Sequence, residues 1–535
     1  MTIRISAYIV AMSVVAAPAS AQHEAHAALS PEQVGSVSFD TSCDSAVKAD
    51  FNRAVALLHS FWFPEAIASF QGVLKRDPSC AIAHWGIALS QWGNPFGGVR
   101  TPEAIERGRA ASEQGAAGSP TARERGYLAA VRALYTSGEP ATQRTRVLAY
   151  EQAMADVVQQ NPGDTEAKIF HALAISQTAL PTDKTYAAQL RAAAILEPMF
   201  AAQPAHPGLA HYIIHAYDYP PLAPKALDAA RRYASLAPGV PHALHMPSHT
   251  FTRVGYWKDS IDSNRASADA ARRSASSGDE LHALDYQVYG YLQLAQDAAA
   301  RDAIARAQAV VSSGEGATAG VAGAGAFALA AMPARYALER GMWAEAAALT
   351  IRPANTPYTE AMTHFARALG AARSGAPQAA AGDIERLAAL RDKLAEMKDP
   401  YWPEQVDIQR RVAQAWVVFA EGRKDEGIEA LTAAVAAEDA TDKSAVSPGP
   451  LAPARELLGF MLLEAGRPAD ALAAFEATMA KEPNRFRGTY GAAQAAEAAG
   501  DTAKALKYYR VLSEIAKETD ADRPELAQAK RALSR

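Results

Sequence analysis

Apolar residues in this chain follow a helical rhythm that short polar turns break repeatedly. From Ala46 the segment AVKADFNRAVALLHSFWF carries apolar residues three and four positions apart, which is typical of one face of an α-helix. Pro64 then begins a second helical segment, PEAIASFQGVLKRDP, because proline favours the first helical position, and Asp77-Pro78 ends it. The pattern therefore predicts pairs of helices joined by tight turns.

Two consecutive blocks near the end of the chain repeat each other at an offset of 34 residues. The matching positions are Gly466 with Gly500, Ala471-Leu472 with Ala505-Leu506, and Phe475 with Tyr509. This period, a small residue at the turn and an A-L-x-x-aromatic second helix are the signature of tetratricopeptide repeats. We therefore predict an all-α fold, a tetratricopeptide-like α–α superhelical solenoid, in which each helical hairpin buries its apolar stripe against its neighbours.

Two interruptions divide the predicted array. Residues 311–326 are rich in Gly, Ser and Ala, and residues 441–452 are rich in Pro and Ser, so both predict linkers or long loops. The predicted organisation is a signal peptide at 1–21, a flexible N-terminal segment at 22–44, an N-terminal array at 45–310, a middle array at 327–440 and a C-terminal repeat pair at 452–535.

Composition and charge agree with a helical protein and exclude some partners. The chain is 49% hydrophobic with abundant alanine, which favours helices over strands. Its net charge is −5, and basic residues form no stripe, so we expect neither nucleic acid nor an anionic membrane surface as a partner. The uncharged stretch 319–333 is too short to span a bilayer, so we expect no membrane insertion.

The N-terminal residues MTIRISAYIVAMSVVAAPASAQ have the pattern of a secretory signal peptide. Arg4 is followed by an apolar core and by the cleavage-type triplet Ala19-Ser20-Ala21. A membrane anchor is the weaker alternative because the apolar core is short. We therefore expect a periplasmic or secreted protein. Export would allow Cys43 and Cys80 to form a disulfide, and two buried free thiols are the alternative.

Histidine is concentrated in one region of the chain. Seven of the 13 histidines fall between positions 206 and 282. Four of them form two H-x-x-x-H pairs, His211 with His215 and His245 with His249, a spacing that places both imidazoles on one face of a helix. The pairs are offset by 34 residues, the repeat length, so we expect them at equivalent positions on neighbouring helices.

A third histidine extends this register into the next repeat. Adding the repeat length again reaches the window around His282, so neighbouring helices would turn five imidazoles towards one space. Imidazole nitrogen is a good ligand for zinc, copper, iron and nickel. We therefore predict an inward-facing transition-metal site for zinc or copper. Its predicted ligands are His211, His215, His245, His249 and His282. The alternative is a set of core or groove histidines that are hydrogen-bonded to backbone or water.

Pro247 is the weak point of this prediction. It lies between His245 and His249, and a proline inside a helix bends it or ends it, so the second pair need not keep its one-turn geometry. His206 and His242 are candidates for extra ligands or for hydrogen-bond partners of the ligands. Hydrogen bonding at a helix start is the simpler interpretation of both.

The candidate catalytic residues are Asp285 and Tyr286, one turn after His282. They would supply a base or a hydrogen-bond donor if a bound metal activates water or oxygen. Asp218 is a further candidate for a carboxylate ligand or a base, and a solvated surface residue is the alternative. The remaining histidines on apolar faces, His59, His84 and His171, are interpreted as core residues. Tyr212 stands where a zincin of the H-E-x-x-H type needs glutamate, so that class of metalloprotease is not supported.

The segments 59–96 and 206–261 resemble a family of exported bacterial tetratricopeptide repeat proteins and are distantly similar to the tetratricopeptide repeat protein 38 group. The motifs that carry the resemblance are HPGLAHYIIH at 206–215 and HALHMPSH at 242–249. The resemblance covers residues 40–300. It implies an α–α superhelix and implies no activity.

Three functions compete at this stage. The first is a metal-binding solenoid, either a metal-binding protein or a metalloenzyme. The second is a non-catalytic periplasmic scaffold whose concave groove holds a peptide or protein, with Arg253, Tyr256 and Asn264 as candidate groove residues. The third is a closed cavity for a small ligand, with walls that include Tyr286, Tyr289 and Tyr291.

Overall fold

The computed structural model describes residues 30–312, 323–352 and 356–534, and every regular element in these ranges is helical. The predicted all-α superhelical solenoid is therefore confirmed. None of the helices in these ranges combines the length and apolarity that crossing a bilayer requires. The predicted signal peptide and most of the 311–326 interruption lie outside the described residues.

The helices are numbered along the chain. The first sixteen are α1 Pro31–Val34, α2 Lys48–His59, α3 Phe63–Arg76, α4 Ala81–Trp92, α5 Pro102–Ala117, α6 Ala122–Ala133, α7 Gln143–Gln160, α8 Thr165–Thr178, α9 Ala187–Ala202, α10 Pro207–Ala216, α11 Leu227–Leu236, α12 Pro241–His245, α13 Pro247–Arg253, α14 Trp257–Arg273, α15 Ser277–Gln293 and α16 Asp297–Ser312.

The others are α17 Ala324–Glu339, α18 Trp343–Ala347, α19 Pro357–Arg373, α20 Ala381–Glu396, α21 Trp402–Ala420, α22 Lys424–Asp439, α23 Ala454–Glu464, α24 Pro468–Lys481, α25 Phe486–Ala498, α26 Thr502–Ile515 and α27 Pro524–Leu533. Short 3₁₀-helices occur at Ser45–Val47, Pro140–Thr142, Ala223–Ala226 and Pro377–Ala380.

The repeat residues have the packing roles that the sequence predicts. Gly466 and Gly500 end their helices with φ of +75° and +80°, a left-handed conformation that glycine adopts without strain. The aromatic residue of the second helix lies against a glycine of a neighbouring helix. A Cβ at Gly491 would stand 2.3 Å from the Phe475 ring, and a Cβ at Gly86 would stand 2.2 Å from the Phe70 ring. Only glycine allows these helices to approach so closely.

The described part of the predicted flexible N-terminal segment is packed, and the expectation of flexibility is wrong there. Phe39 is fully buried, and its ring lies 5.4 Å from Phe51, 5.2 Å from Trp85 and 5.2 Å from Tyr127, measured between centroids. Cys43 and Cys80 form a disulfide, which is one of the two predicted alternatives. The apolar area that Phe39 removes from water favours this docking.

The segment at 441–452 is a long loop, and it folds into the solenoid instead of linking separate domains. Ser447 and Gly449 are buried, and buried Arg335 of α17 donates hydrogen bonds to the carbonyls of Gly449 and Pro450 at 3.3 and 3.0 Å. Lys443 reaches back to Asp218, 3.3 Å away. One apolar core runs from Ala295 to Ala529 across this loop, so the middle and C-terminal helices pack as one body.

The C-terminal helices also pack against the middle of the chain. Fully buried Arg485 donates to the Tyr289 hydroxyl at 2.7 Å, to Glu339 at 2.7 Å and to Glu456 at 3.0 Å. The Trp257 indole N–H donates to the carbonyl of Asn484 at 2.7 Å. These contacts join α14 and α15 to the residues that immediately precede α25, so the C-terminal repeats are anchored on the middle of the chain.

Candidate metal centre

Six histidines converge on the inner side of the N-terminal array. His211 and His215 come from α10, His242 and His245 from α12, His249 from α13 and His282 from α15. The neighbouring inner helices therefore present their imidazoles to a common interior, as the 34-residue offset of the two pairs predicts. Every ring except that of His242 is at least nine-tenths buried.

The break at Pro247 preserves the spacing of the second pair. Helix α12 ends at His245 and α13 begins at Pro247, but Met246 between them keeps helical dihedrals of φ −54° and ψ −34°. The ring centroids of His245 and His249 are 5.0 Å apart, close to the 4.8 Å between His211 and His215. Pro247 therefore interrupts the helix without separating the two imidazoles.

The six rings form two trios. The first trio is His211, His215 and His242, and the second trio is His245, His249 and His282. Within each trio, one nitrogen of every ring lies within 4.8 Å of the other two. The trios touch each other, because the His215 and His249 centroids are 6.0 Å apart and so are those of His242 and His245.

In the first trio three ring nitrogens face one another without a partner. The Nε2 atoms of His211, His215 and His242 are buried and have no hydrogen-bond partner in the described part of the chain. His211 is oriented by its other nitrogen, which lies 2.6 Å from the backbone carbonyl of His59. A carbonyl only accepts, so Nδ1 carries the proton and Nε2 presents a lone pair. Phe61 and Phe96 cover this trio, with centroids 4.3 Å from His211 and 4.3 Å from His215.

In the second trio two nitrogens are in direct contact. The Nε2 atoms of His245 and His249 lie 3.0 Å apart. Nδ1 of His245 donates to the side-chain oxygen of Asn264 at 2.7 Å, and the Asn264 amide is fixed because its nitrogen donates to the Ser260 carbonyl. Nδ1 of His249 donates to Asp218 at 2.9 Å. Both Nε2 atoms therefore carry lone pairs, and these lone pairs point at each other.

Burial keeps these imidazoles neutral. It lowers the pKa of His211, His215, His242, His245 and His282 well below the usual value, and neighbouring imidazoles lower it further. Burial also lowers the pKa of His249, although Asp218 opposes the shift. Neutral imidazole is the form that binds a metal ion.

Asp218 is the carboxylate that is hydrogen-bonded to this centre, so of its two predicted roles the solvated surface residue is the wrong one. It is 8% exposed, and it accepts hydrogen bonds from His249 and from Arg253, whose Nε lies 2.8 Å away. Burial alone would raise the pKa of Asp218, but Lys443 and Arg253 hold it well below the usual value. The sequence held a signal for this role, since Asp218 follows His215 by three residues, about one helical turn.

The candidate catalytic residues are separated by the fold. The hydroxyl of Tyr286 lies 3.3 Å from Nε2 of His249 and 3.3 Å from the Ser447 carbonyl, so Tyr286 borders the second trio. Asp285 belongs to neither trio. Its Oδ1 atom lies 3.6 Å from Nε of Arg335, which is fully buried. Burial raises the pKa of Asp285 to about 6, and Arg335 offsets part of that shift.

His206 and His59 belong to a separate buried network with Glu166. The Nε2 atoms of His59 and His206 lie 2.8 and 2.9 Å from the two oxygens of Glu166, and Nδ1 of His59 lies 2.9 Å from the Tyr212 hydroxyl. Every polar atom of His59 is thus engaged, as expected of a satisfied core histidine. The network fixes the His59 carbonyl that orients His211.

A chamber of about 650 Å³ adjoins the centre. The loop at 441–452 forms one wall, and Arg253 and Lys443 line it while they bind Asp218 from the same side. The other lining residues include the aromatic side chains of Tyr186, Phe365, Tyr401 and Trp402. Asp218 therefore connects the chamber wall to His249.

A comparison with known protein families identifies the repeat type. The tetratricopeptide repeat family profile matches residues 63–118 and 461–518. No curated protein matches the chain. Among solved structures, the human IFIT1 dimer with m7Gppp-AAAA is 12% identical, covers 82% of this chain and 90% of its own, and has a TM-score of 0.39. Naa15/Naa10 bound to HypK-THB is 13% identical over 91% of this chain and 73% of its own, with a TM-score of 0.23. These structural similarities are too weak to indicate which ligands this chain binds.

The repeat profile matches near both ends of the chain, and helical hairpins continue between the two matches. The glycine and aromatic positions that define the repeat pack as the family's signature requires. The chain therefore contains tetratricopeptide repeats at residues 63–118 and 461–518, and its fold is an all-α solenoid.

Proposed function

We propose that this protein binds a transition metal, zinc or copper, through the inward-facing histidines of its solenoid. The observation that carries the proposal is the 3.0 Å contact between Nε2 of His245 and Nε2 of His249. Because both Nδ1 atoms donate to acceptors, two lone pairs face each other in a buried space. A cation placed between them would turn this repulsion into coordination.

The surroundings of the rings support the same proposal. Metal-binding histidines usually donate their second N–H to a carboxylate, a carbonyl or an amide oxygen, and this partner fixes the ring. His211, His245 and His249 each have such a partner, in the His59 carbonyl, Asn264 and Asp218. Imidazole ligands favour zinc, copper, iron and nickel over magnesium and calcium.

Metal-dependent catalysis is the finer part of the proposal. Three histidines leave one position of a tetrahedral ion open, as in catalytic metal sites. The Tyr286 hydroxyl borders the second trio and could donate a hydrogen bond to a group bound there. Asp285 is less suited to that role because it is paired with Arg335.

Elemental analysis of the purified full chain tests metal binding directly. The protein is stripped with a chelator, dialysed against micromolar Zn²⁺ or Cu⁺, and assayed for bound metal. We expect stoichiometric metal, and we expect its loss in H211A/H245A. The matched control is H364A, because His364 is also buried and bonded to a carboxylate, Asp383, outside the cluster. A folded wild-type protein that binds neither ion would contradict the proposal.

The scaffold alternative has less support from the candidate groove residues. Arg253 is bound to Asp218, and fully buried Asn264 is bound to His245, so neither side chain is free to hold a peptide. Tyr256 is 41% exposed and remains available. A periplasmic or secreted location is part of the proposal, supported by the A-x-A triplet and by the Cys43–Cys80 bridge, which an oxidising compartment favours.

A further inference from the structure

The structure points to two metal ions per chain: we propose that each histidine trio holds one monovalent copper ion, Cu⁺. This inference rests on the proposed function and adds the number, the charge and the identity of the ions. The two trios share no residue, and each supplies three ring nitrogens that lie within 4.8 Å of one another.

The ring nitrogens of the six histidines divide into two groups of three. A bond from copper or zinc to imidazole nitrogen is about 2 Å long, so nitrogens that share an ion lie no more than about 4 Å apart. Small side-chain adjustments bring the nitrogens of a single trio within that limit. The nitrogens that lie within 4.8 Å of one another form two groups with no residue in common, one group in each trio. The histidines therefore provide two adjacent sites.

The repeat explains why two sites exist. His211 and His215 of α10 have the same register as His245 and His249 of α12 and α13, 34 residues later. Each pair is completed by one ring from a later inner helix, His242 of α12 for the first trio and His282 of α15 for the second. The pair in the second site is thus the repeat-shifted counterpart of the pair in the first, whereas the third rings, His242 and His282, are 40 residues apart.

The charges of the residues around the two trios favour monovalent over divalent ions. All six ligands are neutral imidazoles. The carboxylate bonded to the cluster is Asp218, and its charge is already met by Arg253 and Lys443. Asp285 is likewise paired with Arg335. Two divalent ions would bury four positive charges with no uncompensated anion beside them, which is costly in a protein interior.

Among the metals that imidazole binds well, copper has an accessible monovalent state, whereas zinc is divalent in proteins. Two Cu⁺ ions halve the buried charge. The apolar cover of the first trio by Phe61 and Phe96 also favours an ion of low charge, because aromatic carbon solvates charge poorly.

The test measures how many copper ions each chain binds. The full chain is titrated anaerobically with Cu⁺ against a competing Cu⁺ chelator, and bound copper is measured per chain. We expect two in the wild type, one in H242Q, one in H282Q, none in the double variant and two in the control H364Q. Circular dichroism and gel filtration confirm that each variant is folded, and the wild-type count alone remains decisive if a variant fails to fold.

Each count has a distinct meaning. One Cu⁺ per wild-type chain overturns the two-ion inference and leaves the proposed function standing. Binding of neither Cu⁺ nor Zn²⁺ overturns both. A wild-type protein that takes up two Zn²⁺ but fewer than two Cu⁺ overturns the charge argument. Loss of both copper ions in H242Q or in H282Q alone overturns the assignment of one ion to each trio.

Discussion

Nε2 of His245 and Nε2 of His249 lie 3.0 Å apart, although the opposite nitrogen of each ring is already committed as a donor. Two neutral imidazoles in these tautomers have no proton to share between them. A proton or a metal ion between the two Nε2 atoms would make this contact favourable. Burial disfavours the proton because it lowers the pKa of both rings.

Replacing the partner of His249 should weaken metal binding. We expect D218N to lower the affinity about 10–100-fold, because the carboxylate orients the ring and raises its basicity. The substitution also leaves Lys443 and Arg253 without their shared partner, so stability should fall by about 3–5 kcal/mol. Affinity is measured on the folded variant by chelator competition.

The control for this variant is D383N. Asp383 accepts from Nδ1 of buried His364 at 2.6 Å and from Arg367 at 3.0 Å, so it repeats the local chemistry away from the trios. We expect D383N to lose stability and keep its metal affinity. Equal affinity in D218N and the wild type would show that Asp218 does not support the centre.

Metal should stabilise the fold, because the two trios exist only in the folded chain. A ligand that binds the native state alone adds about 2.7 kcal/mol at a free concentration 100 times its dissociation constant. We expect the midpoint of thermal unfolding to rise on metal addition and to return when a chelator removes the metal. In H211A/H245A the midpoint should not respond to metal, and an unresponsive wild type would speak against binding.

The metal-free protein should lose stability as the pH falls below about 6.5. The pKa of each trio histidine is lowered in the folded state, so the unfolded chain takes up protons first and is favoured in acid. Each such histidine changes the free energy of unfolding by up to about 1.4 kcal/mol per pH unit. Thermal unfolding between about pH 7.5 and about pH 5.5 measures the effect, and H282Q should reduce the slope.

Buried carboxyls act in the opposite direction. Burial raises the pKa of Asp285 to about 6 and of Glu438 to about 7, so these groups hold protons in the folded chain that the unfolded chain has released. Burial also raises the pKa of Asp279 and Glu456. Six trio histidines outnumber these four carboxyls among the described residues, so the net effect remains a loss of stability in acid. A flat or rising stability towards pH 5.5 would contradict it.

Enlarging Gly449 should dislodge the loop at 441–452. A Cβ at this position would stand 2.7 Å from the Tyr289 hydroxyl, which is held by Arg485 and cannot easily move. We expect G449A to cost about 1–3 kcal/mol and to make the loop sensitive to limited proteolysis. The control is G72A, because a Cβ at Gly72 in α3 meets open space and alanine favours helix there by about 1 kcal/mol. Protease resistance equal to that of the wild type would show that the loop tolerates the methyl group.

Much of the fold and part of the site could be predicted from the sequence. The period of 34 residues gave the hairpin type, and the offset between the two H-x-x-x-H pairs gave their equivalent positions on inner helices. The prediction of one shared space for five histidines was too simple. The structure divides them between two trios and adds His242, which the sequence offers as a candidate for an extra ligand.

The partners of these rings could not be predicted, because they come from distant parts of the chain. The sequence leaves open whether Asp218 is a surface residue or a carboxylate of the site, because its partner Lys443 lies 225 positions later and is brought to it by the loop at 441–452. Asp285 is one turn from His282, but Arg335 of α17 draws its carboxylate away. Local spacing reports which residues share a helix face and carries no information about the charges that other helices bring to that face.

The helices, their hairpin pairing and the inward face of the histidine pairs can be predicted from the sequence, because they depend on apolar periodicity, turn glycines and repeat register over short distances. The grouping into two trios, the choice of Asp218 over Asp285 and the burial of the 441–452 loop depend on tertiary contacts. These contacts join helices that are remote in sequence, and their packing area and charge pairing outweigh local preference.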